Sequence, residues 1–577
     1  MTTPVSHLLN FPDEILLEIY KYLLNVHVLY AFYGINKRLN ASISDYYQHI
    51  SLTNIAFGQS ANLYRFILPH IGSQIRSLTI NNCRSVLQGK LFSQYFSHQM
   101  SHVFRNLQKL RLLCFTADEL HQFCKTLNHM ECLHQVEIGD VLTDQLTLFE
   151  DVINSNPDRI TSIQFKTSYI TPPTIVCSNL LDLTISLQTL DKVLSLFAMI
   201  PNIQQLNITI DETSLAHVSF DAAQPLVHLK KFSLRYFNHY WSFEEIQSLL
   251  KQIPYIEHLS LQLSSSDTYF VDQEQKLMDS LPETVREFHF SLRYYYDTTE
   301  EIDCHALFIA RFPMICLIDE SLQQAIIHTI PYRFSLLHLS FPMAKRVSTW
   351  KNYLDVEKFA NYQGMTLAES LLIISNCRKI KEIDIQYDKN EQTPAGMINS
   401  IIQQPIVSLP NLSRLRCIWL LHPCREHQSF KSILRAAPNL SELFIAFDNL
   451  LPAFDDQEIC NLLSRRIIHL LILRPVASTP TAITEDHIPK LKAIFQQLRH
   501  LQIDVTNGPS IDSIVLAVVN VFKEQCQLTS LVVEGQSSCE ELKSNARQWL
   551  IDHSRLSSDS EFDAEFRHQT NRFLLWM

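Results

Sequence analysis

The sequence predicts an α/β solenoid, a parallel sheet lining a concave side with helices outside, preceded by a small three-helix domain. Three observations carry this reading. A hexad of the form apolar–polar–polar–apolar–polar–apolar returns about sixteen times, mostly 20 to 32 residues apart, the period of stacked strand-plus-helix units. Helix-like segments with recognisable starts and stops lie between the hexads. The first fifty residues follow a different periodicity.

Taken in order, residues 1–50 form the helical domain. Pro12 suits a first helical position and Asp13 and Glu14 put negative charge in the first turn, so a helix is expected over Pro12–Leu24. An apolar segment, Val28–Tyr33, follows. Ile35, Leu39, Ile43 and Tyr47 then mark a third helical face. Together these segments carry more apolar surface than about forty residues can hide.

Residues 51–534 form the solenoid. Its hexads begin at Ile75, Leu107, Leu133, Ile160, Leu180, Ile203, Leu229, Ile256 and Val285, and resume at Phe334, Ile380, Leu412, Leu440, Ile467, Leu498 and Leu528. The second half of each alternates apolar and polar, as a strand with one buried face does. Capping boxes are expected at Thr116–Glu119, Ser242–Glu245 and Asp455–Glu458. Pro201, Pro254, Pro313 and Pro438 stop helices just before the next hexad. Residues 291–379 break the period, as an atypical pair of repeats or as an insertion. Residues 535–577 lack the hexad and are expected to cap the last repeat, with a helix near Cys539–His553.

Composition excludes several functions. The net charge of −11 and pI near 6.1 argue against nucleic-acid or anionic-membrane binding, which reward Lys and Arg. Nine glycines in 577 residues leave no GxGxxG, GxxxxGK[ST] or GxSxG, so nucleotide-dependent and hydrolase chemistry are not expected. No Cys/His grouping has zinc spacing and there is no HExxH; no metal, cofactor or catalytic residue is expected. Thirteen scattered cysteines without CxxC fit reduced thiols in cytoplasm or nucleus. Acidic residues at 13, 14 and 18 do not suit a signal peptide, and the longest apolar run, Ile511–Phe522, is too short to span a bilayer.

The hexads resemble the leucine-rich repeat, L-x-x-L-x-L-x-x-N/C, across roughly residues 60–534. The resemblance implies a horseshoe with the parallel sheet on its concave side. Cys83 matches the Asn/Cys position, whereas later copies have Ser168, Gln188, Asp211, Ser264 and Asp388. The stretch FPDEILLEIYKYL, followed by VLYAFYGINKRLNASI, resembles an F-box. Pro12, Glu14, Ile15, Leu16, Ile19, Tyr22 and Leu23 fall on its pattern, then Leu29, Phe32 and Lys37-Arg38; Phe11 and Leu39 replace its usual leucine and tryptophan.

That family resemblance implies a non-catalytic substrate receptor of a ubiquitin ligase. Pro12, Glu14, Ile15, Leu16, Ile19, Leu23, Leu29 and Phe32 would dock on a Skp-type adaptor and through it on a cullin–RING ligase. The solenoid would hold a protein target on its concave face, through Lys109, Arg111, Lys231, Arg235, His258, Glu287, His289, Glu382, Asp384, Arg414 and Arg416. The alternative is a leucine-rich-repeat scaffold or inhibitor unconnected to a ligase.

Overall fold

The computed structural model describes residues 11–577 except 44–46, 142–147, 211–219, 298–311, 361–369, 386–411, 421–426, 475–482, 523–527 and the isolated positions 129, 222, 273, 338, 348, 349, 371, 372, 375, 378 and 507. The chain divides into two compact units. The first comprises residues 1–267 and 276–288, the second residues 268–275 and 289–577.

The first unit opens with α1 (Asp13–Tyr20), α2 (Asn25–Phe32) and α3 (Lys37–Ser42). The expected first helix is split: α1 ends at Tyr20, and the chain turns through residues 21–24 into α2. Burial explains the turn. Val26, Val28 and Leu29 are buried, and α2 packs on the first strand, which one straight helix to Leu24 would not allow. Asn36 caps α3, its side chain accepting from the Leu39 N–H at 2.8 Å.

Nine parallel strands follow in sequential order. They are β1 (His49–Leu52), β2 (Ser77–Asn81), β3 (Lys109–Leu113), β4 (Gln135–Gly139), β5 (Ser162–Tyr169), β6 (Asp182–Leu187), β7 (Gln205–Ile210), β8 (Lys231–Tyr240) and β9 (His258–Ser265). The register holds from strand to strand, with His49, Ser77, Lys109, Gln135, Ser162, Asp182, Gln205, Lys231 and His258 aligned. The second and third apolar residues of each hexad, such as Leu110 and Leu112, are therefore stacked in two buried rows, each fully buried side chain contributing about 2 kcal/mol. Helices such as Ala117–Thr126 and Phe243–Lys251 lie between strands, each opened by the capping box read from the sequence. The face of the sheet turned away from the helices, here the far face, carries the alternate residues.

The second unit begins differently. β10 (Glu287–Tyr295), β11 (Met314–Asp319) and β12 (Gln324–Thr329) run antiparallel in the order β10-β12-β11. These antiparallel strands, and two short parallel strands that follow them at Leu336–Leu337 and Lys358–Ala360, occupy the stretch after residue 291 where the period breaks. A second sheet then runs from β13 (Leu336–Leu337) through β14 (Lys358–Ala360), β15 (Glu382–Ile385), β16 (Cys417–Leu420), β17 (Glu442–Ala446), β18 (His469–Leu473) and β19 (His500–Asp504) to β20 (Ser530–Glu534), all parallel. The chain beyond it holds two short helices, Glu540–Ser544 and Ala546–His553, and an antiparallel hairpin, β21 (Asp563–Arg567) and β22 (Arg572–Trp576). β22 pairs with β20, and Arg572 Nε lies 3.0 Å from Glu534 Oε2 across that pair. One contiguous core runs through this unit from Leu317 to Leu575.

Candidate interaction surfaces

The helices α1–α3 build a small core and leave many apolar side chains exposed, on more than one side of α1. Leu16, Tyr20, Val28, Leu29, Phe32, Leu39 and Ile43 are buried, with the Tyr20 and Phe32 rings 4.9 Å apart. Asp13 and Arg38 pair at 2.9 Å, tying α1 to α3, and Asn25 Nδ2 donates to the His49 carbonyl at 2.7 Å, tying α2 to β1. Of the residues expected to meet the adaptor, Pro12, Glu14, Ile15 and Leu23 are exposed and Ile19 is half-buried.

Leu16, Leu29 and Phe32 correct that expectation. All three are buried: Leu16 and Tyr20 lie one turn apart on the inner side of α1, and α2 turns Leu29 and Phe32 inward, the Phe32 ring against that of Tyr20. Phe11, Leu17, Tyr22, Leu24, Tyr30 and Ile35, which were outside the set expected to dock, are exposed as well, Tyr22 to 87%. The signal was present, since apolar residues surround α1 on more than one face, but the stripe was assigned to a single surface.

The far face of the first unit is polar. Glu137 on β4 is its most enclosed charge, with its side chain only 5% exposed. Arg111 Nε lies 2.9 Å from its carboxylate, Lys166 Nζ 2.7 Å and Lys109 Nζ 3.8 Å. Lys109 and Arg111 were expected here; Glu137 and Lys166 were not. Lys231 is exposed and Arg235 half-buried on β8. His258 Nδ1 lies 3.1 Å from Glu287 Oε2, both in the first unit, whereas His289, half-buried on β10, belongs to the second.

The far face of the second unit has another chemistry. Glu382 pairs with Lys358 at 2.7 Å, and half-buried Asp384 stands in register with Trp419. Beyond them the lining is aromatic. Trp419 stacks on Phe444 with ring centroids 4.0 Å apart, Phe444 meets His469 edge-on at 5.1 Å, and His500 Nδ1 lies 2.9 Å from Ser530 Oγ. Burial, with the Glu442 and Glu382 carboxylates adding to it, pushes the Cys417 thiol well above its ordinary range.

Arg414 and Arg416 are therefore not on this face, as the sequence had suggested. Both are exposed and precede β16. Leu412, Leu415 and Ile418 are three residues apart, so the hexad fits two frames. The structure takes the later one, burying Ile418 and Leu420 and giving the far-face positions to Cys417 and Trp419.

Among the described residues no group of three or more His, Cys, Asp or Glu is placed to hold a metal ion, and no helix is long and apolar enough to cross a membrane. No protein-family model and no curated protein matches the chain. Among solved structures, TLR13 in its complex with ssRNA13 is 10% identical over 79% of this chain, with a TM-score of 0.28. This chain spans 61% of the TLR13 chain. An LRR protein of Leptospira interrogans is 13% identical over 83% of this chain and 99% of its own, with a TM-score of 0.25.

Proposed function

We propose that this chain is a non-catalytic receptor of a ubiquitin ligase. The face of α1–α3 docks on a Skp-type adaptor, which connects it to a cullin–RING ligase, and the far faces of the sheets hold a protein target. Acceleration then comes from holding target lysines near the ligase, with no reacting group supplied by this chain.

One observation carries the reading. Of the nineteen large hydrophobic side chains exposed among the described residues, eight lie between Phe11 and Ile35. Such a concentration of apolar surface on helices this small marks an interface. The proline–acidic start that resembles an F-box begins the same stretch.

Co-purification with a Skp-type adaptor tests it. The variant is Ile15→Ser, Leu17→Ser, Leu23→Ser and Leu24→Ser together, all exposed positions whose change leaves the core intact. The wild type is expected to retain the adaptor and the folded variant to lose it. A folded wild type that leaves the adaptor unbound would overturn the proposal and favour a scaffold unconnected to a ligase.

A further inference from the structure

The far face of β3, β4 and β5 gathers more positive than negative charge. Arg111 Nε and Lys166 Nζ lie 2.9 and 2.7 Å from the Glu137 carboxylate, while Lys109 Nζ stands off at 3.8 Å, too far to be held by a hydrogen bond. Those cations remain open to solvent: the side chains of Lys109, Arg111 and Lys166 are 38, 39 and 47% exposed. Strands β2–β5 hold these three cations and one acid, a net charge of +2, in a chain whose net charge is −11. The far-face residues beside them, Ser77, Thr79, Gln135, Ser162 and Gln164, are uncharged.

We infer that this patch is the docking site for an acidic peptide segment of a protein partner. The inference rests on the reading that the sheet faces hold a protein target, and it adds the chemistry of that target. Glu137 neutralises one charge and holds the Arg111 and Lys166 side chains converged, so less side-chain freedom is lost when a carboxylate arrives. The guanidinium nitrogens of Arg111 beyond Nε offer further donors to an incoming carboxylate. A peptide suits the surface better than a nucleic acid. Tyr169, at the end of β5 and 39% exposed, is the one exposed aromatic on these four strands, too few for the successive base stacking that single-stranded nucleic acid uses.

The test titrates the full-length chain at low salt with a short fluorescent peptide of alternating glutamate and serine. Its glutamine and lysine counterparts and a single-stranded oligouridine serve as competing probes. The variant Lys109→Gln/Lys166→Gln leaves the Arg111–Glu137 pair in place, and Lys192→Gln, on the helix Asp191–Met199, serves as the control. The glutamate peptide is expected to bind, about tenfold more weakly in the double variant and unchanged in the control, with affinity falling as salt rises. Equal binding by wild type and double variant, or tighter binding of the RNA, would overturn the inference. Binding of the glutamine or lysine peptide alone would overturn it and leave the target-holding reading standing. Failure of adaptor binding with glutamate-peptide binding intact would sink the ligase reading and spare this one.

Discussion

His328 on β12 is fully enclosed, its Nδ1 3.0 Å from the Thr329 carbonyl and its Nε2 2.9 Å from Tyr353 Oη. A carbonyl only accepts, so Nδ1 carries the proton and Nε2 accepts from the tyrosine hydroxyl. Burial lowers its pKa from 6.5 to about 4, against the opposing pull of the Thr329 carbonyl. The unfolded chain therefore binds the proton more tightly. Stability contributed here is full above pH 6.5, falls as pH drops towards 4 and is flat below, a loss of about 3 kcal/mol across that window. Denaturant unfolding between pH 7 and 4.5 should show this slope, reduced in His328→Gln; an identical slope in the variant would remove His328 as its source. Tyr353 stood in the irregular region and His328 was one of 24 histidines, so nothing in the sequence joined them. The side of each apolar residue on α1 was equally hidden, because periodicity shows that a stripe exists and not which part of it a neighbour covers.

Elements were far more legible than residues. Every hexad but the one at Leu412, which is three residues early, lies at the start of a strand, and the two capping boxes at Thr116 and Ser242 form as read. The third does not form as a box: Asp456, not Asp455, is the N-cap and accepts from the N–H groups of Glu458 and Ile459, and Ile459 at N3 has no carboxylate to reach back. β1 was missed although Tyr47-Gln-His-Ile50-Ser-Leu52 fits the hexad, because Tyr47 also extends the helical face of Ile35, Leu39 and Ile43. β14 was missed because its hexad, Val356-Glu-Lys-Phe359-Ala-Asn, ends on a polar residue. The antiparallel strands β11, β12, β21 and β22 lie outside the repeat, and no short periodicity announces them. Two substitutions test this level. Ser242→Ala removes the cap at Glu245 N and should lower stability by about 1 kcal/mol, read as a shift in the denaturation midpoint. Gly72→Ala places a methyl 2.7 Å from the Val103 carbonyl oxygen and should cost about 1–3 kcal/mol; an unchanged midpoint would show that this turn can yield.

At the scale of the molecule, the sequence predicted one mixed-charge lining, whereas the two units present different far faces. The first is polar, with cations gathered on Glu137, and the second carries the row from Trp419 to His500. Misplacing the frame at Leu412 by three residues hid that contrast, since it put arginines where Cys417 and Trp419 stand. The hairpin β21–β22 matters at this scale too, because β22 occupies the free edge of β20. Removing residues 558–577 should leave that edge unpaired and drive association, seen as a rise in scattered light; a monodisperse truncated chain would contradict it. The most direct measurement for the account is hydrogen exchange of the full chain, alone and with a Skp-type adaptor. The account predicts slowed exchange confined to residues 11–35, with β3–β5 unchanged. No protection there, or protection centred on the sheets, would contradict it.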